Sequence, residues 1–595
     1  MLLLFSNALL LAFITSSLGI FFRSVLEKSF RAPVQTDLLG NFLLGLIPSA
    51  IYFNIISFWF PVNYLSLIPL LLLCGFTYIR NRGKYAELLS SIHRHTATLR
   101  SNALPAVCIL LILFAYWVKP STAGDSRAYH FESITWYEQF KVVPGLGNLH
   151  GRFAFNPVSF IIQSAYSFTG LLGRSVYSLN GVLTCLFLLW LFARLLRYRR
   201  SVAGLVYFAL LAILGRYLLG YMSSPSSDTL LLICIAYPAL KLFEMLGART
   251  STHSGITLAS TITPLFILLF APVAKLSAYP VLPLILYILY LLPPADKKPS
   301  MLIPLLAIMA CLYIPWMGRN YIMSGYLAYP LPFTDLFHPD WQVPPDMLLI
   351  DYDFAKYGPR SMTNAYSEFR HIQSTPFMEW FIPLLAFKFT IKAYIELVLL
   401  FSGILLAPLI WIILYTRGPK PAYRQFICWL FIYAGTLFWF YTSLDLRIGL
   451  VFLVLSVLFP LLAYTTGRQV AGNKMPKALI PALMVIFTLY YIYADYTLYK
   501  EYYNMRGQGF QLTEGWVFPL RDAMTYPAHI KDGFPYKVLN KGVRLYISGD
   551  GIHYCINTCL PCMIHGYGWN NAEVEMRGDR LDQGFRTAKV IPLPQ

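Results

Sequence analysis

The chain has 595 residues, of which 57% are hydrophobic and only 13% are charged, with a formal net charge of +19. A soluble domain is typically about 25% charged, so this composition excludes an ordinary soluble fold. The apolar residues form unalternating runs of about 16–24, long enough to cross a hydrocarbon core roughly 30 Å thick as helices. The positive charge does not indicate nucleic-acid binding, because Lys and Arg fall mostly in short breaks between the runs, as in cytoplasmic loops.

Fourteen apolar runs are predicted to span the membrane, so the expected fold class is an all-α polytopic membrane protein. The first run lacks the basic flank and cleavage site of a signal peptide, and we expect it to be kept as a span. The runs lie at about 2–22, 38–60, 62–79, 104–119, 176–195, 202–221, 229–247, 256–273, 276–293, 301–317, 391–415, 424–442, 447–466 and 477–496, each near the length a bilayer requires.

Basic residues predict the orientation of the chain. With fourteen spans, the basic clusters at 23–31, 80–100, 194–200, 297–298, 417–424 and 468–477 fall on one side, which is then cytoplasmic. Both termini lie outside, together with large loops at 120–175 and 318–390 and a tail at 497–595. The apolar segment 156–173 is not counted as a span, since that would move the 194–200 cluster outside. We expect helices in the outer interface there.

The first outer loop carries the most distinctive group of polar residues. The fourth span ends near Lys119, Gly124 then breaks the helix, and Asp125 follows it at once. If a new helix starts there, Asp125, Tyr129 and Glu132 share one face, with His130 beside them. A carboxylate just outside a span, with a tyrosine and a histidine, fits a general base or a metal ligand. The alternative is that Asp125 only caps a helix.

Two ionisable residues lie at the ends of later spans. Asp228 follows a run of serines at the outer end of a span, where it is either a helix cap or a second acidic site residue. Lys275 interrupts an apolar stretch between Pro272 and Pro280, where a charge is costly. It is predicted to reach the outer interface and hold a lipid phosphate, or merely to snorkel.

Two outer turns carry arginine beside another polar residue. Arg319 and Asn320 close the tenth span, and Asp445 and Arg447 occupy a tight turn before a late span. Each arginine is a candidate ligand for a leaving phosphate, because a guanidinium group makes paired hydrogen bonds to phosphate oxygens. Arg447 has the alternative of a structural pair with Asp445. The loop 326–379, rich in Asp, Pro and aromatic residues, is a candidate acceptor or lid region.

The C-terminal tail alternates polar and apolar residues, and its segment 543–548 predicts a strand. We expect a small extracytoplasmic α/β domain at 497–595. A disulfide is favoured over zinc in an oxidising outer compartment, although two nearby histidines leave a metal site open. The residues concerned are Cys555, Cys559, Cys562, His553 and His565.

Four short motifs follow one another along the chain: Asp125-Ser-Arg-Ala-Tyr-His130 with Asn156-Pro157 after it, the segment 316–326 (Trp-Met-Gly-Arg-Asn-Tyr-Ile-Met-Ser-Gly-Tyr), Leu444-Asp-Leu-Arg447, and Leu560-Pro-Cys562. In this order they resemble the GT-C superfamily of polytopic membrane glycosyltransferases, and more narrowly a bacterial branch of it. The resemblance covers most of residues 104–595. Residues 1–103 depart from that family's core, and we expect them to form a three-span extension to a core at 104–496.

The resemblance implies a chemistry for these residues. GT-C enzymes place a catalytic Asp or Glu just after an early span, which makes Asp125 the expected base, and a second acidic residue such as Asp228 sometimes joins it in binding Mg²⁺ or Mn²⁺. The substrate-binding residues would be Tyr129, His130, Glu132, Lys275, Arg319, Asn320, Asp445 and Arg447.

The implied activity is inverting transfer of a sugar from a polyprenyl-phosphate-linked donor. The acceptor would be a glycan, lipid or protein on the extracytoplasmic side of the bacterial cytoplasmic membrane. A polysaccharide polymerase or ligase using lipid-linked oligosaccharides is one alternative. A transporter or lipid flippase is another, although transporters favour repeated halves and sites at mid-membrane.

Overall fold

The computed structural model describes residues 2–118, 123–247, 256–294, 297, 299–361, 366–388, 401–417, 423–467, 475–505, 526–527, 536–548, 560–564 and 572–590. The described chain is mainly helical. Its first helices are α1 (Leu2–Phe30), α2 (Leu38–Ile56), α3 (Leu67–Arg80), α4 (Arg82–Arg100), α5 (Ala103–Trp117), α6 (Phe131–Gln139), α7 (Val158–Tyr166), α8 (Thr169–Leu172), α9 (Leu179–Tyr198) and α10 (Val202–Gly220).

The remaining described helices follow in chain order. They are α11 (Ser227–Gly247), α12 (Leu258–Ala274), α13 (Leu282–Leu291), α14 (Pro299–Ser324), α15 (Pro345–Tyr357), α16 (Tyr366–Ser374), α17 (Phe377–Lys388), α18 (Ala407–Arg417), α19 (Tyr423–Thr442), α20 (Leu446–Gly467) and α21 (Leu479–Met505).

Eight of the described helices have the length and hydropathy to cross a membrane, namely α1, α2, α9, α10, α11, α14, α19 and α20. The chain is therefore a multi-pass membrane protein, as its composition predicts. Shorter apolar helices coincide with other predicted runs, among them α5, α12 and α21. The run at 391–415 lies partly outside the described residues. The count of fourteen spans stays a prediction.

The third predicted span ends in a sharp bend. Helix α4 turns by 95° from the helical segment that ends at Arg80. It carries charged residues along its length, among them Arg82, Lys84 and Arg94, and all its described side chains are exposed or half-buried. A helix with so many charges is unfavourable in the hydrocarbon core. A helix that lies along the membrane surface keeps its charged side chains in water.

Small residues bring the first two helices unusually close. A Cβ atom on Gly19 of α1 would lie 2.0 Å from the carbonyl oxygen of Asn41, and one on Gly45 of α2 would lie 1.8 Å from that of Thr15. Glycine at these two positions lets the backbones approach, as is common where helices pack in membranes.

The N-terminal helices pack into the body of the protein. Phe22 of α1 meets Phe266 of α12 edge to face, with ring centroids 5.8 Å apart. Thr263 of α12 donates to the carbonyl oxygen of Gln35, in the turn before α2. The predicted division of the chain at residue 103 stays a prediction.

The segment 156–173 forms two short helices rather than one. All nine residues of α7 are buried in the protein, and the chain then passes through Phe168, which has a positive φ of 55°. A nine-residue helix is too short to span a bilayer, in agreement with the prediction. Its side chains pack against protein instead of lying in the lipid interface, because α2, α6 and α11 surround it.

The tail consists, in its described part, of strands and 3₁₀ turns after α21. Strand β1 (Arg174–Ser175) of the first outer loop pairs antiparallel with β2 (Tyr526–Pro527). Strands β3 (Tyr536–Val538), β4 (Arg544–Ser548) and β5 (Cys562–Ile564) form a mixed sheet, and β6 (Ala572–Met576) pairs antiparallel with β7 (Phe585–Val590). The predicted strand at 543–548 is confirmed as β4. Within the described tail, no α-helix follows Met505.

Strand β7 anchors the tail on the first outer loop. The Phe585 amide donates to the carbonyl oxygen of Pro144 (3.0 Å), and the Phe585 ring meets the Trp136 ring edge to face. The Thr587 hydroxyl donates to Asn148 Oδ1 (2.8 Å). The tail therefore covers part of the loop that carries Asp125.

Candidate functional site

The backbone around Asp125 differs from the expected regular helix. Residues Ser126–His130 form a π-helical turn, in which the Phe131 amide donates to the carbonyl oxygen of Ser126. Asp125 has helical dihedral angles (φ −59°, ψ −29°) and makes no capping hydrogen bond. It is therefore not a helix cap, and its side chain, about one-third exposed, is directed to other partners. Single π turns inside helices occur frequently at functional sites.

Arg447 joins two carboxylates. Its Nη1 lies 2.5 Å from Asp125 Oδ2, while its Nη2 and Nε lie 2.7 and 3.0 Å from Asp445 Oδ2. The Asp445 carboxylate also accepts from the Arg447 backbone amide at 2.9 Å. The hydrogen bonds to Asp445 hold the guanidinium in place through Nε and Nη2. Its Nη1 is then directed to Asp125. The predicted pair of Arg447 with Asp445 is therefore present, and the role of Arg447 at a leaving phosphate stays a prediction.

Arg152 approaches Asp125 from the other side. Its Nη1 lies 3.7 Å from Asp125 Oδ1. Its guanidinium also stacks over the rings of Tyr129 and Phe354, at 5.3 and 4.8 Å from their centroids. Sequence reasoning did not select Arg152, because it lies 27 residues after Asp125 in an irregular part of the loop and no local spacing connects the two.

Asp228 and Lys275 form an ion pair next to these residues. The Lys275 ammonium donates to Asp228 Oδ1, and the Asp228 side chain is only 5% exposed. Lys275 lies where α12 ends, in an extended conformation before the 3₁₀ turn Leu276–Val281. This break turns the lysine toward Asp228 instead of leaving it to snorkel along a continuous helix. Neither prediction from sequence anticipated that the two residues are partners.

Serine and asparagine side chains hold the two halves of the site together. The hydroxyls of Ser126 and Ser224 are 2.6 Å apart. The amide of Asn180, in the first turn of α9, donates to the carbonyl oxygens of Ser224 and Ser226 at 2.6 and 2.7 Å. The loop before Asp228 is therefore fixed against the π turn that carries Tyr129 and His130.

We call the eight residues assembled here the Asp125 cluster: Asp125, Tyr129, His130, Arg152, Asp228, Lys275, Asp445 and Arg447. Burial alone would raise the pKa of the Asp125 carboxyl, but Arg447 and Arg152 outweigh it and hold that pKa well below its usual value. Burial lowers the pKa of His130 to about 4, despite the opposing effect of Asp125 and Asp228. At neutral pH, Asp125 is thus ionised and His130 neutral.

Glu132 is separated from the cluster, contrary to the expected shared face. The π turn adds a residue to one helical turn, which shifts Glu132 out of line with Asp125 and Tyr129. Its Oε1 accepts from the Cys562 amide of β5 at 3.0 Å, and burial raises the pKa of the Glu132 carboxyl well above its usual value. Glu132 therefore serves as a contact to the tail.

Arg319 and Asn320 also make their contacts elsewhere. Arg319 is almost fully buried, donates from Nε to Asn156 Oδ1 at 3.2 Å and stacks over the Tyr137 ring. The Asn320 amide donates to the carbonyl oxygen of Trp316 one turn earlier in α14. Their contacts link α14 to the first outer loop, so the structure does not bring them to Asp125.

Helix α15 supplies a wall of the site from the loop 326–379. Phe354 lies against the Arg152 guanidinium. Asp351, four-fifths of a turn earlier in α15, accepts a hydrogen bond from the Tyr329 hydroxyl at 2.7 Å and is buried. Phe354 thus faces the cluster, while the Asp351 carboxylate binds the Tyr329 hydroxyl. The candidate role of this loop in acceptor binding stays a prediction.

The carboxylates of the cluster fit a divalent cation poorly as they stand. Asp125 and Asp445 share Arg447, and Asp228 is paired with Lys275. Among the described residues, no three His, Cys, Asp or Glu side chains are grouped to hold a metal ion. We therefore derive no step through Mg²⁺ or Mn²⁺, and the predicted site at Asp125 and Asp228 stays a prediction.

Cys562, at the start of β5, is disulfide-bonded, as predicted for the cysteines of the tail. The other residues of that prediction, Cys555, Cys559, His553 and His565, lie outside the described part of the chain.

The fold and the cluster together define a multi-pass membrane protein with a charged site built from the ends of distant helices. Residues 1–454 match the family described as a domain of unknown function, DUF8201, and the chain belongs to that family. Every member of the Asp125 cluster lies within the matched residues. No curated protein and no solved structure matches the chain.

Proposed function

We propose that the protein is a GT-C-type membrane glycosyltransferase that uses a polyprenyl-phosphate-linked sugar donor and inverts the anomeric carbon. The observation that supports this most is the position of Asp125, a carboxylate about one-third exposed that lies between two guanidinium groups. A base beside cationic groups suits a reaction in which a hydroxyl loses its proton while a phosphate departs. The resemblance of the first outer loop to that superfamily supports the same assignment.

In this proposal, Asp125 accepts the proton of the acceptor hydroxyl as its oxygen attacks the anomeric carbon. The bond from that carbon to the phosphate oxygen breaks, and the phosphate leaves with the electron pair. Arg447 and Lys275 supply positive charge to the departing phosphate, and stabilisation of developing charge is usually the largest catalytic contribution. Arg152 shares in holding Asp125 ionised. Arg319 is omitted from this set because it is packed against Tyr137 and Asn156.

The low pKa of Asp125 gives the donor a second role. A carboxylate held by Arg447 is ionised but a weak base. A donor phosphate that takes a share of the Arg447 guanidinium weakens its hold on Asp125, so the pKa of Asp125 rises once the donor is bound. Asp125 therefore becomes a stronger base only after the sugar donor has bound.

A transporter or lipid flippase is the second candidate function. The break between α12 and α13, with the Lys275–Asp228 pair beside it, is a feature that transporters also use at substrate sites. The enzyme is preferred because the cluster joins the ends of helices and outer loops, where transporters favour mid-membrane sites. A polymerase or ligase that transfers lipid-linked oligosaccharides would use the same residues.

The test is turnover of a panel of polyprenyl-phosphate sugars by the purified full-length protein in detergent and in sealed vesicles. Transfer to an acceptor, or slow hydrolysis of one donor, supports the glycosyltransferase. Movement of an unchanged lipid-linked sugar across the vesicle membrane favours the flippase instead. Product length separates transfer of one sugar from transfer of an oligosaccharide.

A further inference from the structure

A cavity lies at the end of α9 that is remote from the Asp125 cluster. It has a volume of about 500 Å³, and four of its lining residues are arginines, Arg94, Arg197, Arg199 and Arg200, while the others are uncharged. Asn180, near the first residue of α9, contacts the loop beside the cluster. Because α9 has 20 residues, the two sites are roughly 30 Å apart.

Among the residues that the structure describes, no acidic side chain compensates the positive charge of this cavity. Within the described residues, none of its four arginines lies within ion-pair distance of an acidic side chain. Arg194, one turn earlier in α9, shows the contrast, because it lies 3.4 Å from Glu244 and 3.9 Å from Asp37. The Arg199 guanidinium donates to Asn102 Oδ1, and the four exposed guanidinium groups around one concave space create a positive potential that attracts an anion.

The geometry of the cavity favours phosphate oxygens. Guanidinium groups bind phosphate with paired hydrogen bonds, and the volume is in the range of ordinary ligand sites. Asn102, which also lines the cavity, directly precedes α5, and no side chain caps that helix.

The surroundings favour a lipid as the source of that phosphate. Helix α4, which contributes Arg94, bends by 95° from the preceding helix and has the composition of a helix on the membrane surface. The cavity thus lies at the end of spanning helices, on the side that basic residues predict to be cytoplasmic. Basic pockets at this level between helices hold the head groups of anionic lipids.

We propose that this cavity is a binding site for a phosphate oxyanion, carried by the head group of an anionic phospholipid. The proposal does not rest on the proposed glycosyl transfer, since no residue is shared with the Asp125 cluster. The bound head group would fix α4 against the end of α9. It would thereby order the surface of the bundle opposite the candidate active site.

The test compares two double variants of the full-length protein in phosphatidylcholine vesicles. One is Arg197→Gln with Arg200→Gln, in the cavity. The matched control is Arg82→Gln with Arg424→Gln, two exposed arginines on the same predicted side that do not line it. Association of spin-labelled phosphatidylglycerol is measured against that of spin-labelled phosphatidylcholine, and inorganic phosphate is added as a competitor.

The wild type and the control are expected to prefer phosphatidylglycerol by about tenfold or more, and the cavity variant to lose that preference. If the wild type instead binds inorganic phosphate, with an affinity that the cavity variant loses, and shows no lipid preference, the oxyanion site stands with free phosphate as its source. If both double variants lost the preference for phosphatidylglycerol equally, that preference would depend only on the net charge of the surface, and the proposal would be overturned. Absence of both lipid preference and phosphate binding in the wild type would overturn it as well.

Discussion

The guanidinium of Arg447 lies 2.5 Å from the carboxylate of Asp125, although the two residues are 322 positions apart in the chain. Arg447 belongs to the first turn of α20, and Asp125 to the loop after α5. The contact therefore connects an early and a late part of the bundle at one point. In the proposed reaction it also connects the base to the group that receives the phosphate.

Replacement of Arg447 tests its proposed role in stabilising the departing phosphate. Arg447→Gln is expected to reduce transfer about 100-fold or more, since the departing phosphate loses its nearest positive charge. Arg447→Lys should retain part of the rate, because it keeps the charge and loses the paired hydrogen bonds to Asp445. The rate is measured with saturating donor. Arg580→Gln, at an exposed pair with Asp582 in the tail, is the control, and an equal loss there would contradict the assignment.

The Lys275–Asp228 pair gives a prediction about stability. Lys275→Met leaves the buried carboxylate of Asp228 without its ammonium partner, which is expected to cost about 3–5 kcal/mol. Lys275→Met combined with Asp228→Asn should recover most of this loss, because no unpaired charge remains. Apparent unfolding temperatures in one detergent measure both. Equal destabilisation by the single and double variants would show that the pair is not coupled.

His130 predicts a pH dependence of stability. Its pKa is about 4 in the folded protein and about 6.5 in an unfolded chain, so the unfolded state binds the extra proton between these values. The contribution of His130 to stability is therefore complete above pH 6.5 and is lost as the pH falls toward 4. Asp125 contributes in the same direction only at the acid end of this range, because its pKa is lowered in the folded protein and the unfolded carboxyl takes up a proton as the pH approaches about 4.

The measurement is the apparent unfolding temperature between pH 7 and 4. His130→Gln should flatten this dependence without abolishing it, because burial also lowers the pKa of His150 to about 3. His338→Asn is the control, since the His338 side chain is exposed and lies beside Asp335. A dependence that His130→Gln leaves unchanged would show that His130 is not held neutral.

The hydrogen bond between the Cys562 amide and Glu132 predicts how the tail is attached to the first loop. The buried Glu132 carboxyl accepts from the Cys562 amide, and burial raises its pKa well above the usual value. Glu132→Gln keeps an acceptor of the same shape and should change hydrogen exchange at 562–564 little. Glu132→Ala leaves the buried amide unsatisfied, at about 1–3 kcal/mol, and should speed exchange there. If Glu132→Gln and Glu132→Ala gave the same exchange rates at 562–564, this hydrogen bond would not be what anchors the tail.

The sequence was most informative where a property is local. Long apolar runs predict spanning helices, and polar residues that follow such runs predicted most of the Asp125 cluster. Asp125, Lys275 and Arg447 each stand out because a charge beside a membrane-spanning segment is expensive unless it has a partner. Their partners remained unknown, because the pair of Asp228 with Lys275 and that of Asp125 with Arg447 join distant helices.

Three differences from the predicted site have causes that the sequence does not reveal. The prediction that Glu132 shares a face with Asp125 assumed regular helical spacing, and the π turn at Ser126–His130 removed it. Arg152 was passed over because it lies in a short 3₁₀ turn, where no periodicity points to a partner. Arg319 resembled a phosphate ligand at a helix end, yet its environment is the ring of Tyr137.

The most direct test of the proposed function compares Asp125→Asn with the wild type in donor binding and in transfer. The variant should bind the polyprenyl-phosphate sugar as tightly as the wild type or more tightly, because Arg447 is freed, and should lose transfer about 100-fold or more. Asp346→Asn, at an exposed position of α15, controls for the loss of one carboxylate and should transfer normally. Normal transfer by Asp125→Asn would contradict the assignment of Asp125 as the base.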